Sequence, residues 1–106
     1  MKQWFLSGTA LLLAMAAAAQ PPDAQMQQAR SLAATCANCH GTQGRAKGDM
    51  KPLAGMRADT MLAMLADFKN GNQPATVMHQ ITKGYTEKQL RLIAQYLAAQ
   101  APAPAR

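Results

Sequence analysis

The residues best suited to chemistry are concentrated in the pentapeptide Cys36–His40, which has the sequence Cys-Ala-Asn-Cys-His and contains the only two cysteines of the chain. Two thiols separated by two residues, with a histidine directly after the second, form the pattern to which a c-type haem is attached. On one helical turn, each thiol can add to a vinyl group on the same edge of the porphyrin. The adjacent imidazole then lies under the iron. We therefore predict one covalent haem c, bound through Cys36 and Cys39 and ligated by His40.

Three other roles are open to a Cys-x-x-Cys pair. A thioredoxin-like redox site belongs to a βαβ unit, but no segment of this chain alternates polar and apolar residues as a strand would. A structural zinc ion needs four ligands, and the histidines that could join the two thiols are only His40 and His79. A structural disulfide would join neighbouring turns and constrain little of the chain. The histidine that follows the second cysteine therefore favours haem.

A second axial ligand must come from further along the chain. Methionine is a common partner of histidine at haem iron and raises the reduction potential, which suits electron transfer. The side chains after the motif that could bind iron are Met50, Met56, Met61, Met64, Met78 and His79. Met61 and Met64 lie on the apolar face of a predicted helix, where methionine ordinarily fills space in the core. Met50 and Met56 follow the motif too closely to reach the opposite face of the ring easily.

Met78 is the preferred candidate for the second ligand. It follows a turn at Pro74, far enough after His40 for a helix to pass around the ring. Core packing is its alternative role, because Met78 and Ile81 share a helical stripe. His79 is the rival ligand, since imidazole also binds haem iron well.

The hydrophobic periodicity predicts an all-α domain. Apolar residues recur at helical spacing in four segments, and the glycine-rich stretch after the motif, which also contains Pro52, predicts a loop. N-capping residues and terminal glycines mark the helix ends. The predicted helices run from Asp23 to Cys36, from Asp59 or Thr60 to Gly71, from Thr76 to Gly84, and from a Thr86–Gln89 capping box to Ala98.

The first residues are typical of a cleaved export signal. Lys2 is followed by a mostly apolar stretch that ends in a run of alanines, which includes Ala17–Ala19. A charged start, a short apolar run and small residues at the cleavage site are the features of a secretory signal peptide. The run is shorter than the roughly 20 apolar residues of a membrane span. We predict a cleaved signal at 1–19, a monohaem domain at 20–100, a flexible tail at 101–106, and a periplasmic location without a membrane span after cleavage.

The charge of the chain is moderately basic. Eleven Lys and Arg residues against five Asp and Glu give a net charge of +6, without a basic run. Such an excess fits an acidic protein partner, whereas nucleic acid is a poor partner for an exported chain of this kind. Arg45, Lys47 and Lys51, in the loop after the motif, could form a docking patch near the haem edge.

Several stretches together resemble the class I cytochromes c, and most of all the cytochrome subunit of flavocytochrome c sulfide dehydrogenases. The resemblance covers nearly all of the predicted mature chain. The haem motif alone is shared by many families. Five stretches carry the resemblance, and the last two of them narrow the choice of family. They are Cys36-Ala-Asn-Cys-His-Gly41, Pro52-Leu-Ala-Gly55, Phe68-Lys-Asn-Gly71, Pro74-Ala-Thr-Val-Met78 and Lys83-Gly-Tyr-Thr86.

The resemblance implies a small class I cytochrome c fold, with about four helices wrapped around one covalent haem c. It implies Met78 as the distal ligand and the Pro52 carbonyl as acceptor of the second imidazole N–H of His40. It also implies that the first and last helices cross, with Tyr96 packed against Ala29 and Ala33. This chain departs from the family at His79, where glycine is usual.

The function implied is that of an electron carrier and not of an enzyme in its own right. With both axial positions filled, the iron has no open site for a substrate. The chain would take electrons from a flavoprotein subunit that oxidises sulfide, or from another redox protein. A free-standing shuttle to a terminal oxidase or reductase is the main alternative. A haem sensor or peroxidase-like protein is a further one, and it requires an open distal site.

Overall fold

The computed structural model describes residues 22–104, and within them it contains helices but no strand. The all-α class predicted from the sequence is therefore confirmed. No helix in this range is long and apolar enough to cross a membrane. The predicted signal peptide at 1–19 lies outside the described residues. The α-helices are α1 (Pro22–Ala33), α2 (Ala37–His40), α3 (Ala58–Asn70), α4 (Met78–Lys83) and α5 (Glu87–Ala98).

The core forms where the first and last long helices pack together. Helix α1 buries only the small residues Ala29 and Ala33, which lets α5 approach it closely. Tyr96 of α5 lies in the same buried cluster as these two alanines, and Met61 joins the cluster from α3. The predicted packing of the first helix against the last is confirmed.

Helix α1 leads directly towards the cysteine motif. It begins at Pro22, one residue before the predicted cap at Asp23, and the chain then continues through the 3-10 helix Ala34–Cys36 into α2. Met26 lies at helical spacing from the buried Ala29 and Ala33, which predicts a buried position, but it is 50% exposed.

Helix α5 begins with the predicted capping box. The backbone N–H of Gln89 donates to Thr86 Oγ1 at 3.1 Å, and the backbone N–H of Thr86 donates to the Gln89 side chain at 2.9 Å. These bonds satisfy two N–H groups that have no partner within the helix. The prediction of this helix start is confirmed.

Helix α3 begins without a side-chain cap, so the predicted cap at Asp59 or Thr60 is wrong. Its N-cap position is Arg57, and the Asp59 carboxylate forms an ion pair with Arg57 at 2.8 Å. The hydrogen bond from Arg57, supported by the Thr60 backbone N–H, lowers the pKa of Asp59 below its ordinary value. The predicted stop is correct, because Gly71 ends the helix in the left-handed conformation.

Helix α4 is short and also lacks a side-chain cap. It has six residues, and Val77 occupies its N-cap position. The predicted cap at Thr76 is therefore wrong, whereas the predicted end at Gly84 is correct. The placement of α4 depends on its contacts with the rest of the fold, since a helix of this length is not stable alone.

The loop between α2 and α3 is tied to α5 by backbone hydrogen bonds. The carbonyl of Gly44 accepts the N–H groups of Leu53 and Ala54 at 2.9 and 3.1 Å, and Gly55 N–H donates to the Leu97 carbonyl at 3.0 Å. Just beyond α5, the ring of Pro102 lies so near Gly55 that an added Cβ there would come within 2.8 Å of it. The first residues of the segment 101–106, predicted to be flexible, thus contact this loop.

Candidate functional site

The structure places the three residues of the motif on two successive helical segments. Cys36 ends the 3-10 helix, while Cys39 and His40 lie in α2. Both cysteines are free; Cys36 is half-buried and Cys39 is exposed. Burial raises the pKa of the Cys36 thiol above its ordinary value. The disulfide alternative finds no support here, and both sulfur atoms are available for thioether bonds.

The imidazole of His40 is oriented by the loop that follows it. Its Nδ1 lies 2.7 Å from the carbonyl oxygen of Lys51. A carbonyl only accepts hydrogen bonds, so Nδ1 carries the proton and donates. The proton-free Nε2 is then the atom that can bind a metal. A hydrogen bond of this kind fixes the tautomer and orientation of a metal-binding histidine and increases its basicity.

The acceptor is not the carbonyl of Pro52, which the family resemblance implies. It is the carbonyl of the preceding residue, Lys51. A proline restricts the residue before it to extended conformations, which fixes the direction of that residue's carbonyl. Directly after Pro52 the chain turns back, because the next two N–H groups both donate to Gly44. Pro52 therefore acts on His40 through the peptide bond that precedes it.

The surroundings of the motif fit a haem group. Cys36 belongs to a set of half-buried side chains that pack against the core; the others include Leu32, Leu53, Met56, Leu62, Leu65 and Tyr85. A porphyrin is broad, flat and largely apolar, so attachment at Cys36 can remove apolar surface of this kind from water. Within residues 22–104 no group of three or more His, Cys, Asp or Glu side chains comes together, which leaves the zinc alternative without a ligand set there.

The methionines that could supply a second ligand differ in their surroundings. Met61 is only 2% exposed and belongs to the core, as predicted. Met50 lies in the loop and is 42% exposed. Met64 is half-buried on α3 and Met56 packs against the core. Met78 is the first residue of α4 and is half-buried.

His79 follows Met78 in the chain, but it borders a cavity that Met78 does not. Its side chain borders a cavity of about 270 Å³ between α3 and α4, together with Lys69 and Lys83, and Met78 does not border this cavity. The Nδ1 atom of His79 is buried and has no hydrogen-bond partner. Successive side chains of a helix point about 100° apart. Met78 and His79 therefore cannot both point towards one iron from this helix.

Basic side chains surround the exposed cysteine. A cavity of about 450 Å³ is bordered by Cys39, Arg45 and Lys47. Arg45 is half-buried, and its Nε donates to the carbonyl of Ala101 at 2.8 Å. Lys47 and Lys51 are exposed. Of the three predicted docking cations, two are thus exposed lysines. The third, Arg45, links the loop after the motif to the segment after α5.

Two residues of this region were not identified from the sequence. Lys51 acts through its backbone, and only the proline after it could have indicated this role. Thr82 lies four residues after Met78 and is buried. That spacing places the two residues on the same face of a helix, which is the only signal that the sequence offers.

The helical fold and the motif Cys36–His40 define a small class I cytochrome c. The family model described as "Cytochrome C oxidase, cbb3-type, subunit III" matches residues 15–97 of the chain. This match extends over most of the sequence, and the chain belongs to this family of cytochromes.

Individual relatives agree with this assignment. The cytochrome subunit of sulfide dehydrogenase from Chlorobaculum tepidum is 37% identical over 81 residues, which are 74% of each chain. The thiosulfate dehydrogenase electron acceptor of Stutzerimonas stutzeri is 33% identical across 95% of this chain and 49% of its own length. In structure, the chain resembles the cytochrome c4 of Acidithiobacillus ferrooxidans, with a TM-score of 0.67 and 29% identity over 72% of this chain and 50% of that one. This chain therefore spans only about half the length of these last two proteins.

These comparisons confirm the resemblance to class I cytochromes c and to the cytochrome subunit of sulfide dehydrogenases. They also confirm that the chain is a haem-containing electron carrier and not a catalytic enzyme, since its relatives are electron-transfer subunits and carriers.

Proposed function

We propose that this chain carries electrons in the periplasm by means of a single haem c, attached to Cys36 and Cys39 and held between His40 and Met78. The observation that carries the proposal is the hydrogen bond from His40 Nδ1 to the Lys51 carbonyl. This hydrogen bond leaves Nε2 as the atom of His40 that can bind a metal, and His40 directly follows the second of two free cysteines. Bound haem supplies a single iron that alternates between the ferric and ferrous states, one electron at a time.

Each residue of the site has a separate task in this proposal. The thiols of Cys36 and Cys39 hold the haem permanently, which removes the need for a deep enclosing pocket. The His40 imidazole and the Met78 thioether would ligate the iron, and this pair of ligands would raise the reduction potential and suit electron transfer. The half-buried apolar side chains that pack against the core with Cys36 would shield the ring from water. No atom is transferred, so the carrier only accepts an electron and passes it on.

We further propose that the electron donor is a flavoprotein that oxidises sulfide. This proposal is supported by the 37% identity to the Chlorobaculum tepidum sulfide dehydrogenase subunit, which extends over 74% of both chains. Lys47 and Lys51 are the exposed cations that can meet an acidic surface of such a partner, whereas Arg45 is half-buried and donates from Nε to Ala101. Charge complementarity of this kind mainly raises the rate of association.

A free-standing shuttle is the second candidate. It is favoured by the similarity to the Stutzerimonas stutzeri thiosulfate dehydrogenase electron acceptor, which extends over 95% of this chain. The two candidates share the same haem chemistry and differ in the partner. A subunit stays bound to its flavoprotein, whereas a shuttle is a monomer that exchanges rapidly, and in a salt-dependent manner, with several partners.

Purification from the native organism at native abundance separates the two candidates. Co-elution with a flavoprotein in a constant ratio is expected for the subunit. A monomer that elutes alone, and that is reduced by several donors at salt-dependent rates, would establish the shuttle instead. The variant Lys47→Gln should slow reduction by the partner at low salt in either case.

The haem itself is tested by intact-mass and absorption measurements on the periplasmic fraction. The expected mass is that of a chain starting at Gln20 plus one haem, retained under denaturing conditions. Met78→Ala should abolish the weak near-infrared band of sulfur–iron ligation in the ferric protein, and His79→Ala should retain it. Tight binding of carbon monoxide or peroxide to the unaltered protein at neutral pH would argue for an open distal site, and so for a sensor or peroxidase.

A further inference from the structure

Thr82 is a buried polar residue in an otherwise apolar interior. Its side chain is 1% exposed, and it is the only polar residue among the fully buried ones of the described range. Its hydroxyl donates to the carbonyl oxygen of Met78 at 2.8 Å and lies 3.3 Å from that of His79. The hydroxyl is therefore bonded to the peptide groups of the two residues that could serve as distal ligand.

The first turn of the helix that presents Met78 is held by backbone bonds, in which the N–H groups of Gln80 and Ile81 donate to the Val77 carbonyl at 2.9 and 3.1 Å. Helix α4 is six residues long and has no side-chain cap, and Met78 is its first residue. The preceding residue, Val77, is 53% exposed. Helix ends fray, because forming the first turn fixes several residues for few hydrogen bonds. The Thr82 hydroxyl is a further donor to the Met78 carbonyl and opposes this fraying. Fraying at Met78 would displace its sulfur atom.

We propose that Thr82 is a positioning residue, whose hydroxyl holds the first turn of α4 and thereby keeps the Met78 thioether on the haem iron. This inference rests on the proposed ligation of the iron by His40 and Met78. Threonine hydroxyls often bond to the carbonyl four residues earlier without any functional effect. Here the acceptor is the peptide of the proposed ligand itself, and the threonine that donates to it is buried.

Competition with an added ligand measures how firmly Met78 is held. The ferric protein is titrated with imidazole, which binds iron only after Met78 has left, and binding is monitored by the Soret band and by loss of the sulfur–iron band. Thr82→Val preserves shape and removes the hydroxyl, and we expect a roughly five- to tenfold tighter apparent affinity for imidazole, as the loss of one buried hydrogen bond implies. Thr82→Ser retains the hydroxyl and should stay within about twofold of the unaltered protein.

Thr86→Val is the matched control for a general loss of stability. It removes the capping box of α5, so its melting temperature should fall while its imidazole affinity stays within about twofold. Equal imidazole affinities of Thr82→Val and the unaltered protein would overturn the inference. An increase of the same size in Thr86→Val would also overturn it, because the effect would then follow stability alone.

The proposed ligation is tested separately in the same samples. If the unaltered ferric protein lacks the sulfur–iron band, or if Met78→Ala retains it, the ligand assignment fails and this inference fails with it. If the band is present, is lost in Met78→Ala and is as resistant to imidazole in Thr82→Val as in the unaltered protein, only the role of Thr82 fails.

Discussion

Arg45 donates a hydrogen bond from Nε to the carbonyl of Ala101 at 2.8 Å, although the two residues are 56 positions apart in the chain. The bond joins the segment after α5 to the loop that follows the haem motif. The same loop contains Lys51, whose carbonyl accepts the hydrogen bond from His40. The end of the domain and the orientation of the His40 imidazole thus depend on one loop.

Replacing Arg45 should destabilise the fold more than replacing its exposed neighbour. Arg45→Gln removes a charged donor from a backbone carbonyl, and we expect it to lower the free energy of unfolding of the haem-loaded protein by about 1 kcal/mol. Lys47→Gln removes the same charge from an exposed position and should change it by less than about 0.5 kcal/mol. Denaturant unfolding of both variants measures the difference. Equal effects would show that the Arg45–Ala101 bond contributes nothing.

Gly44 should tolerate a methyl group much less well than Gly48. Both have positive φ, +75° and +66°, but an added Cβ on Gly44 would lie 2.8 Å from the Ala54 nitrogen and 3.1 Å from Leu97 Cδ2, while nothing lies within 4 Å of one on Gly48. Gly48→Ala should therefore lose only the about 1 kcal/mol of left-handed backbone strain. Gly44→Ala adds overpacking and should lose about 2 to 4 kcal/mol. Thermal unfolding of the two variants, compared with the unaltered protein, tests this order.

The small residues of α1 should be essential for its packing against α5. Ala29 is 3% exposed and lies in the cluster that contains Tyr96. Ala29→Leu forces a larger side chain into this contact, and we expect a loss of about 1 to 3 kcal/mol. Ala34, just after α1, is exposed, so Ala34→Leu should be nearly neutral. A neutral Ala29→Leu would mean that the two helices can move apart freely.

The sequence predicted the features that depend on a few neighbouring residues. The capping box of α5 was predictable because both of its hydrogen bonds join Thr86 and Gln89, three positions apart. The start of α3 was not, because the helix begins at Ala58, ahead of Asp59, and the Asp59 carboxylate pairs with Arg57. Local patterns indicate which groups are able to pair, but not which pairing prevails when two are possible.

Within the candidate site, the motif was predictable from neighbouring residues, whereas the residues that orient it were not. Cys36, Cys39 and His40 lie within five consecutive residues, so their spacing alone indicated the chemistry. The acceptor of the His40 hydrogen bond lies 11 residues away at Lys51, and its choice over Pro52 depends on how the loop turns back to Gly44. Thr82 was missed because a threonine in a helix has no distinctive pattern until its burial is known.

Pro52 should influence the potential of the haem-loaded protein through the carbonyl of Lys51. That carbonyl accepts the Nδ1–H of His40 at 2.7 Å, and a strong hydrogen bond there makes the imidazole a better electron donor, which favours the ferric state. Pro52→Ala releases the restriction on the preceding residue and weakens the bond. We therefore expect the reduction potential to rise by roughly 10 to 60 mV, where about 59 mV corresponds to a tenfold change in a one-electron equilibrium.

Lys51→Gln is the matched control for this prediction, because it keeps the backbone carbonyl and removes only an exposed charge. Loss of a positive charge favours the ferric state, so any change should be small, downward and screened by salt. Potentiometric titration at low and high ionic strength measures both variants. A rise in Pro52→Ala that persists at high salt, with no rise in Lys51→Gln, assigns the effect to the hydrogen bond. A rise of the same size in both would show instead that the loop acts on the potential through solvent exposure, because the two variants share no change at the carbonyl.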